Sequence, residues 1–391
     1  MDIRVFVIAL ILISSVGIVA RMFRFPPSPL LVLTGTLLAA WIVFPALHFD
    51  PNFLLTVLLP PLLFEGSLKL SFSELKKTGW GIFFLACPGV LLSVFLLGPL
   101  FHIVLAIPLL TAFLFASLLA ATDPVAVLDA FRNVRISRTL STLIEGESLF
   151  NDGTAMVLFG IFLGISRSIP SNMGSEIWHF ITMTVGGIGI GAVLGFLINY
   201  VSRIRFEQEL RISLSTVLAY GAYLLADSLH VSGILAVVSA GIVYANVFPH
   251  YPKKDINQPL WDFWSYVGFL TTSVIFLLIG TQVNSREILG YWKPALLTYG
   301  LLMAVRFVIV LMAFFFSSRT GQKFSWSWLL LTWWGGLRGA LSLALAMSLI
   351  GAVPEGRSLF FITLTLVIFF LFINGLSANP WIRRLKLKES S

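Results

Sequence analysis

Apolar residues form long runs along almost the whole chain, and short segments that hold most of the charges separate them. A helix that crosses the ~30 Å hydrocarbon core of a bilayer needs about 20 mainly apolar residues. The pattern predicts thirteen transmembrane helices, at about 3–20, 30–48, 53–68, 79–102, 107–131, 139–165, 177–202, 211–227, 231–248, 261–283, 293–316, 326–350 and 358–381. The expected fold class is an all-α polytopic membrane protein, one membrane domain over 1–391 with no separate soluble domain.

The composition agrees with this interpretation. Hydrophobic residues make up 58% of the chain and charged residues 11%, whereas soluble domains carry roughly 25% charged residues. The net charge of +8 is dispersed over short loops, so the lipid bilayer is an expected partner and nucleic acid is not. The single cysteine, Cys87, excludes an intramolecular disulfide. The first run is interpreted as a retained helix and not a signal peptide, because Arg21 and Arg24 follow it.

Basic residues are unevenly divided between the two sides of the predicted bundle. Of the 26 Lys and Arg residues, 19 fall on one side, 5 on the other, and Arg306 and Arg338 lie within spans. Cytoplasmic loops carry an excess of Lys and Arg. The sequence therefore predicts a multi-pass plasma membrane protein (the inner membrane of a prokaryote), with the N-terminus outside and the C-terminus cytoplasmic.

Several carboxylates lie inside or at the ends of the apolar runs. An ionisable group at the bilayer centre costs about 2.5–3.5 kcal/mol on insertion scales, so these residues are expected to line a polar cavity or to have partners. They are Glu65, Asp123, Glu147, Asp152 and Asp227.

The sixth predicted span carries a polar strip. Ser148 and Asp152 are four residues apart, as are Glu147 and Asn151, so each pair stacks on one helix face. No basic residue lies within two turns of Asp152, which favours a functional role over a structural ion pair.

The other polar residues allow alternatives. Asp123 either belongs to a site or caps the half-helix that follows it. Glu147 is expected to be structural, with Arg338 as the first candidate for its partner. Arg306 either pairs or extends toward an interface.

Two spans contain helix-breaking sequences. Asp123-Pro124 interrupts the fifth, since proline lacks the N–H and clashes with the preceding turn, and Gly335-Gly336 interrupts the twelfth. The two spans stand seven apart and so have opposite orientations, as inverted repeats require. Interrupted helices in matching positions are typical of transporter binding sites.

Gly187, Gly191 and Gly195 superficially resemble a dinucleotide-binding loop, but they recur every four residues within an apolar run. This spacing predicts close packing against a neighbouring helix.

Five segments carry a family resemblance: LPPLLFE (59–65), ATDPVAV (121–127), EGESLFNDGT (145–154), VSGILA (231–236) and GGLRGA (335–340). In this order and spacing they resemble the monovalent cation/proton antiporters, in the branch of prokaryotic NhaP-type antiporters and eukaryotic sodium/proton exchangers. One departure is Gly153, where alanine is frequent, which is expected to loosen the helix.

The resemblance implies an antiporter fold with two crossing broken helices, and a homodimer. The dimerisation part is expected mainly at about 1–75 and 177–283, and a mobile core mainly at about 79–165 and 293–381.

The resemblance also implies roles for individual residues. Asp152 is the implied ion- and proton-binding carboxylate, and Asp123, Ser148, Glu65 and the Thr122 backbone complete the implied sodium site. Asn151 orients the site, and Glu147 pairs with Arg338.

The function expected is secondary active exchange of sodium or lithium for protons, with Asp152 binding cation or proton competitively. Exchange is expected to be electroneutral, because the Asn151 carboxamide does not titrate. No cofactor is expected, and the chain has no Walker loop. A potassium/proton antiporter and a cation channel remain alternatives. An intramembrane enzyme is disfavoured, because the five histidines have no metal-ligand spacing.

Overall fold

The computed structural model describes residues 3–23, 25–40, 50–123, 137–167, 173–202, 207–247, 254–283, 285–319 and 325–377. Within these ranges the chain is helical apart from short connections and two isolated β-bridges. The helices are α1 (Ile3–Phe23), α2 (Pro27–Ala40), α3 (Pro51–Leu68, with a π-helical turn at Leu54–Leu58), α4 (Phe72–Ala86), α5 (Pro88–Leu105), α6 (Leu109–Ala120), α7 (Arg138–Ser166), α8 (Met173–Val201), α9 (Gln208–Ser228), α10 (Gly233–Asn246), α11 (Lys254–Thr281), α12 (Ser285–Arg319), α13 (Trp326–Trp334), α14 (Ala340–Ser348) and α15 (Gly356–Gly375, ending in a π-helical turn at Phe370–Gly375).

Seven helical spans in the described residues are long and apolar enough to cross a membrane, with α4 and α5 counted as one span (Phe72–Leu105), and four shorter apolar helices of 10–17 residues accompany them. The prediction of a multi-pass helical membrane protein is confirmed, while the count of thirteen spans stays a prediction. Residues 124–131 of the fifth predicted span lie outside the described residues.

Helix starts differ from the predicted bounds where a polar first turn precedes the apolar run. The helix predicted at 79–102 begins at Phe72, because the Ser71 side chain accepts a hydrogen bond from the Glu74 amide and caps the helix. The same helix is interrupted at Cys87, a break that the sequence analysis missed. Pro88 has no N–H to donate to the preceding turn. By contrast, α7 runs through Gly153 without interruption, and the loosening expected there stays a prediction.

The helices pack in two groups. The first comprises α1 to α3 and α8 to α11, with α8 against α10 and α2 against α11. The second comprises α4 to α7 and α12 to α15, with α4 against α7 and α12 against α15. Contacts between the groups are made by α7, which touches α3, α8 and α10, by α14, which touches α3 and α11, and by the π-helical end of α15, which touches α2. Helices α7 and α14 therefore form most of the second group's side of the boundary, and α3 contacts both of them.

The glycines of α8 lie directly against the backbone of α10, as their spacing predicted. A Cβ atom added to Gly187, Gly191 or Gly195 would lie 2.5, 2.0 or 2.5 Å from a carbonyl oxygen of α10 or its N-cap, Ser232. The side chain of Ser239 on α10 donates to the Ile188 carbonyl of α8 at 3.0 Å. At these three glycines the main chain of α8 lies directly against the main chain of α10.

We expect Gly191→Ala to lower the thermal stability of the detergent-solubilised protein. The added Cβ forces the two backbones apart, and overpacking of this kind costs about 1–3 kcal/mol. Gly189→Ala is the matched control, because a Cβ at Gly189 meets nothing within 4 Å. Equal melting temperatures for the two variants would contradict the close contact.

Candidate ion-binding site

The two interrupted helices meet at their breaks. α6 ends at Ala120, and the Asp123 amide donates to the Leu337 carbonyl at 2.9 Å, within the segment that separates α13 from α14. This antiparallel bridge joins two extended segments in the middle of a helical protein. The predicted interruption of the twelfth span and its crossing with the fifth are confirmed in the described residues; the half of the fifth span that follows Asp123 lies outside them.

The polar strip of α7 faces the first break. Ser148 Oγ donates to the Thr122 carbonyl, which lies just after the end of α6. Asn151 Nδ2 donates to Thr122 Oγ1 at 3.2 Å and to Glu147 Oε1 at 3.3 Å. All four residues are buried. The strip predicted from the four-residue spacing is therefore a hydrogen-bonded network that fixes the broken segment on α7.

The partner of Glu147 is Arg306 of α12. Arg306 Nη1 donates to Glu147 Oε1 at 3.1 Å, and Nη2 donates to Oε2 at 3.1 Å. The expectation that Glu147 pairs with Arg338 was wrong. The guanidinium from α12 takes both carboxylate oxygens in a two-pronged geometry, which is the strongest arrangement for an arginine and a carboxylate.

Arg306 also stabilises the end of α13. Its Nε donates to the Trp333 carbonyl at 3.2 Å and its Nη2 to the Thr332 carbonyl at 2.9 Å. The last carbonyls of a helix lack intrahelical partners and carry partial negative charge. One side chain therefore links α12, the end of the half-helix α13 and the polar strip of α7.

Arg338 lies in the second break and is only 4% exposed. Its Nη1 donates to the Gly336 carbonyl at 2.7 Å, and its guanidinium lies 5.5 Å from the centre of the Phe370 ring. Its Nε has no hydrogen-bond partner among the described residues. Arg338 is thus a positive charge fixed at the crossing.

A cavity of about 90 Å³ opens between α3, α7 and the start of α14. Its charged lining consists of Asp152, Asp123, Glu145, Glu65 and Lys69. Leucines of α3 form much of the apolar wall, and the first residues of α14 close another side. With four carboxylates and one ammonium on its wall, the cavity favours cations.

Two residues of the cavity wall, Asp152 and Ser342, each have a buried side-chain oxygen, Oδ1 and Oγ, without a hydrogen-bond partner among the described residues. Buried polar atoms in native proteins normally have a partner, so these two oxygens are candidate ligands for a bound ion. Carboxylate, hydroxyl and carbonyl oxygens are the donors that hard cations prefer.

The carboxylate of Asp123 lies against Gly339, where a Cβ would come within 2.0 Å of Oδ2. Gly339 is the residue before α14. A negative charge there is favoured by the positive end of the helix dipole. Only glycine leaves room for this approach.

The structure brings most of the predicted site residues to one place. Those that line the cavity are Glu65, Thr122, Asp123, Ser148 and Asp152. Their role as ion ligands stays a prediction.

The sequence analysis did not single out Ser342 or Lys69, and it left open which role Arg306 has. The signal for Arg306 was its position within an apolar run. Asp227, predicted to be buried, is exposed in the last turn of α9. The described residues contain no group of three or more His, Cys, Asp or Glu side chains placed to hold a metal ion.

Interrupted helices that cross beside a carboxylate-lined cavity define this protein as a membrane transport protein. The chain belongs to the sodium/hydrogen exchanger family: the transmembrane family model matches residues 7–384.

The Na(+)/H(+) antiporter ApNhaP of Aphanothece halophytica is 33% identical over 379 residues, which cover 96% of this chain and 73% of that protein. The Na(+)/H(+) antiporter NhaH of Halobacillus aidingensis is 31% identical over 405 residues, covering 99% and 98%. The solved structure of the sodium proton antiporter MjNhaP1 from Methanocaldococcus jannaschii has the same fold, with a TM-score of 0.81 at 22% identity and 99% coverage of both chains.

Proposed function

We propose that this protein is a secondary active antiporter that exchanges sodium or lithium for protons. The observation that carries the proposal is Asp152 Oδ1, a buried carboxylate oxygen without a partner among the described residues, on the wall of a cation-favouring cavity. A carboxylate in this position binds either a cation or a proton, but not both. Competition for Asp152, together with exposure of the site to each side in turn, is sufficient for antiport.

The proposed cation ligands are oxygens on three sides of the cavity. Asp152 and Ser148 come from α7, and Asp123 and the Thr122 carbonyl come from the break after α6. Glu65 comes from α3. Asn151 orients Thr122 through the hydrogen bond to its hydroxyl. Ser342, whose hydroxyl oxygen is unpartnered and lines the same cavity, is a further candidate ligand.

Purified protein in proteoliposomes with an internal pH dye tests this function. We expect sodium and lithium, added outside, to raise the internal fluorescence signal that reports proton efflux. Liposomes without protein are the control. A response to potassium alone would favour a potassium/proton antiporter, and unitary currents in planar bilayers would favour a channel. No response to any monovalent cation, in protein shown to be folded, would contradict the proposal.

The arrangement in the membrane belongs to the same proposal. The N-terminus lies outside and the C-terminus in the cytoplasm, as the distribution of basic residues favours. The first helix group holds a homodimer together, and the second group carries the ion. The outer face of α8 supports an apolar contact with lipid or with a second copy; its exposed residues include Ile177, Trp178, Val185, Val193 and Phe196.

Formal charges at the crossing support one-for-one exchange. Glu147 and Arg306 cancel as an ion pair. Asp123 and Asp152 together carry −2 and Arg338 carries +1, so these three groups have a net charge of −1. Glu65 and Lys69 cancel as a second ion pair, and Glu145, which also lines the cavity, has the same charge in both loaded forms. One sodium ion or one proton brings the three groups to zero, so the net charge of the site is the same with either ligand.

We therefore expect exchange to be electroneutral. The measurement is sodium-driven proton movement in proteoliposomes whose membrane potential is clamped with potassium and valinomycin. The rate should not change with the imposed potential. A voltage-dependent rate, or a transient current on addition of sodium, would show that more than one proton moves per sodium ion.

A further inference from the structure

Lys69 lies on the wall of the ion cavity, immediately after the last residue of α3. Its Nζ is 2.6 Å from Oε1 of Glu65, one turn earlier in the same helix. The Lys69 side chain is 38% exposed and that of Glu65 is 12% exposed. An ammonium of the protein itself is therefore already paired with one of the carboxylates on the cavity wall.

Glu65 is held from a second side by α11. A Cβ atom added to Gly268 would lie 3.0 Å from Glu65 Cγ and 3.1 Å from Cδ. The carboxylate therefore passes close to the α11 backbone, where no side chain intervenes. Gly268 on one side and Lys69 on the other set where the Glu65 oxygens point.

We propose that Lys69 is an internal cation that competes with the transported cation for Glu65, and so sets the affinity of the cavity for that cation. This inference rests on the proposed function. The lysine ammonium is a compact monovalent charge on a flexible stem, and it donates to the oxygen that a bound cation would use. Because the Lys69 side chain is partly exposed, the ammonium can turn to water when a cation takes its place.

A matched ion pair lies away from the cavity. Lys77 Nζ is 2.8 Å from Glu74 Oε1, and the two side chains are 61% and 11% exposed. The two pairs are alike in composition, in spacing of about one helical turn and in burial of the carboxylate. They differ in that Glu65 and Lys69 line the cavity, whereas Glu74 and Lys77 do not. A purely structural role for such pairs predicts the same effect for both lysines.

The experiment measures the sodium concentration that gives the half-maximal exchange rate in proteoliposomes. Lys69→Met should lower it about two- to fivefold, the range expected when a partly exposed ion pair no longer competes. Lys69→Arg keeps the charge and should stay near the wild-type value, and Lys77→Met should not shift it. In a Glu65→Gln background, Lys69→Met should have no further effect.

Three results would overturn the inference. The first is an unchanged or raised half-maximal sodium concentration in Lys69→Met. The second is a shift in Lys69→Arg equal to that in Lys69→Met, and the third is that Lys69→Met causes the same shift in the Glu65→Gln background as in the wild-type protein. If Lys69→Met does not fold, Lys69→Gln replaces it as the neutral variant. Failure of the wild-type protein to exchange any cation would instead contradict the proposed function.

Discussion

Asp152→Asn abolishes cation-dependent proton movement in proteoliposomes without lowering the thermal stability of the protein; this is the result we expect. The carboxamide has nearly the shape of the carboxylate but carries no charge and does not titrate, so it cannot exchange a cation for a proton. Asp152 Oδ1 has no hydrogen-bond partner among the described residues, so the substitution breaks no such bond there. A buried charge beside the like charge of Asp123 is costly, and its removal should leave the melting temperature unchanged or higher.

Asp262→Asn is the control for this variant. Asp262 lies on α11 and is exposed, with Oδ1 accepting a hydrogen bond from Gln258 Nε2 at 2.9 Å. Asp262 does not line the cavity, so the Asp262→Asn variant should exchange ions at the wild-type rate. Exchange by Asp152→Asn at a rate near that of the Asp262→Asn control would show that another group carries the ion.

The second large effect concerns the Glu147–Arg306 pair. Removing one partner of a buried ion pair costs about 3–5 kcal/mol, because the other charge is left uncompensated. We expect Glu147→Gln and Arg306→Met each to lower the melting temperature strongly, and the double variant to lose much less than the sum. Arg306→Met should be the more damaging, since it also leaves the Thr332 and Trp333 carbonyls without their donor.

Arg338 provides the comparison for this cycle. Its described hydrogen bond goes to the Gly336 carbonyl and not to Glu147. The interaction energy between Glu147→Gln and Arg338→Met should therefore be smaller than that between Glu147→Gln and Arg306→Met. Two results would contradict the pairing in the structure. One is that the stability losses of Glu147→Gln and Arg306→Met are strictly additive. The other is that the interaction energy between Glu147→Gln and Arg338→Met is the larger one.

The sequence was sufficient to predict which residues line the cavity because its signals are local. Asp152 and Ser148 share a helix face by their spacing, and Asp123 precedes a proline in an apolar run. A carboxylate in such a run is costly wherever it lies, so its position alone indicates a cavity or a partner.

The choice of partner could not be predicted in the same way. Glu147 and Arg306 are 159 residues apart, and only the packing of α12 beside the end of α13 brings the guanidinium to the carboxylate. Arg338 was an equally good candidate by charge and burial. Lys69 was missed for a related reason: its position at the end of a span is typical of a loop charge, and its contact with the cavity depends on how α3 faces α7 and α14.

The contact between α8 and α10 has a mechanical consequence. Side chains between two helices form a compliant layer, because they can change rotamer while the main chains slide. At Gly191 the main chain of α8 touches that of α10 and this layer is missing. The two helices therefore resist sliding past each other. A boundary that keeps a side-chain layer, such as the leucine-lined face of α3 over the cavity, resists sliding less than the contact between α8 and α10. Any displacement that transport requires therefore costs less free energy at that boundary.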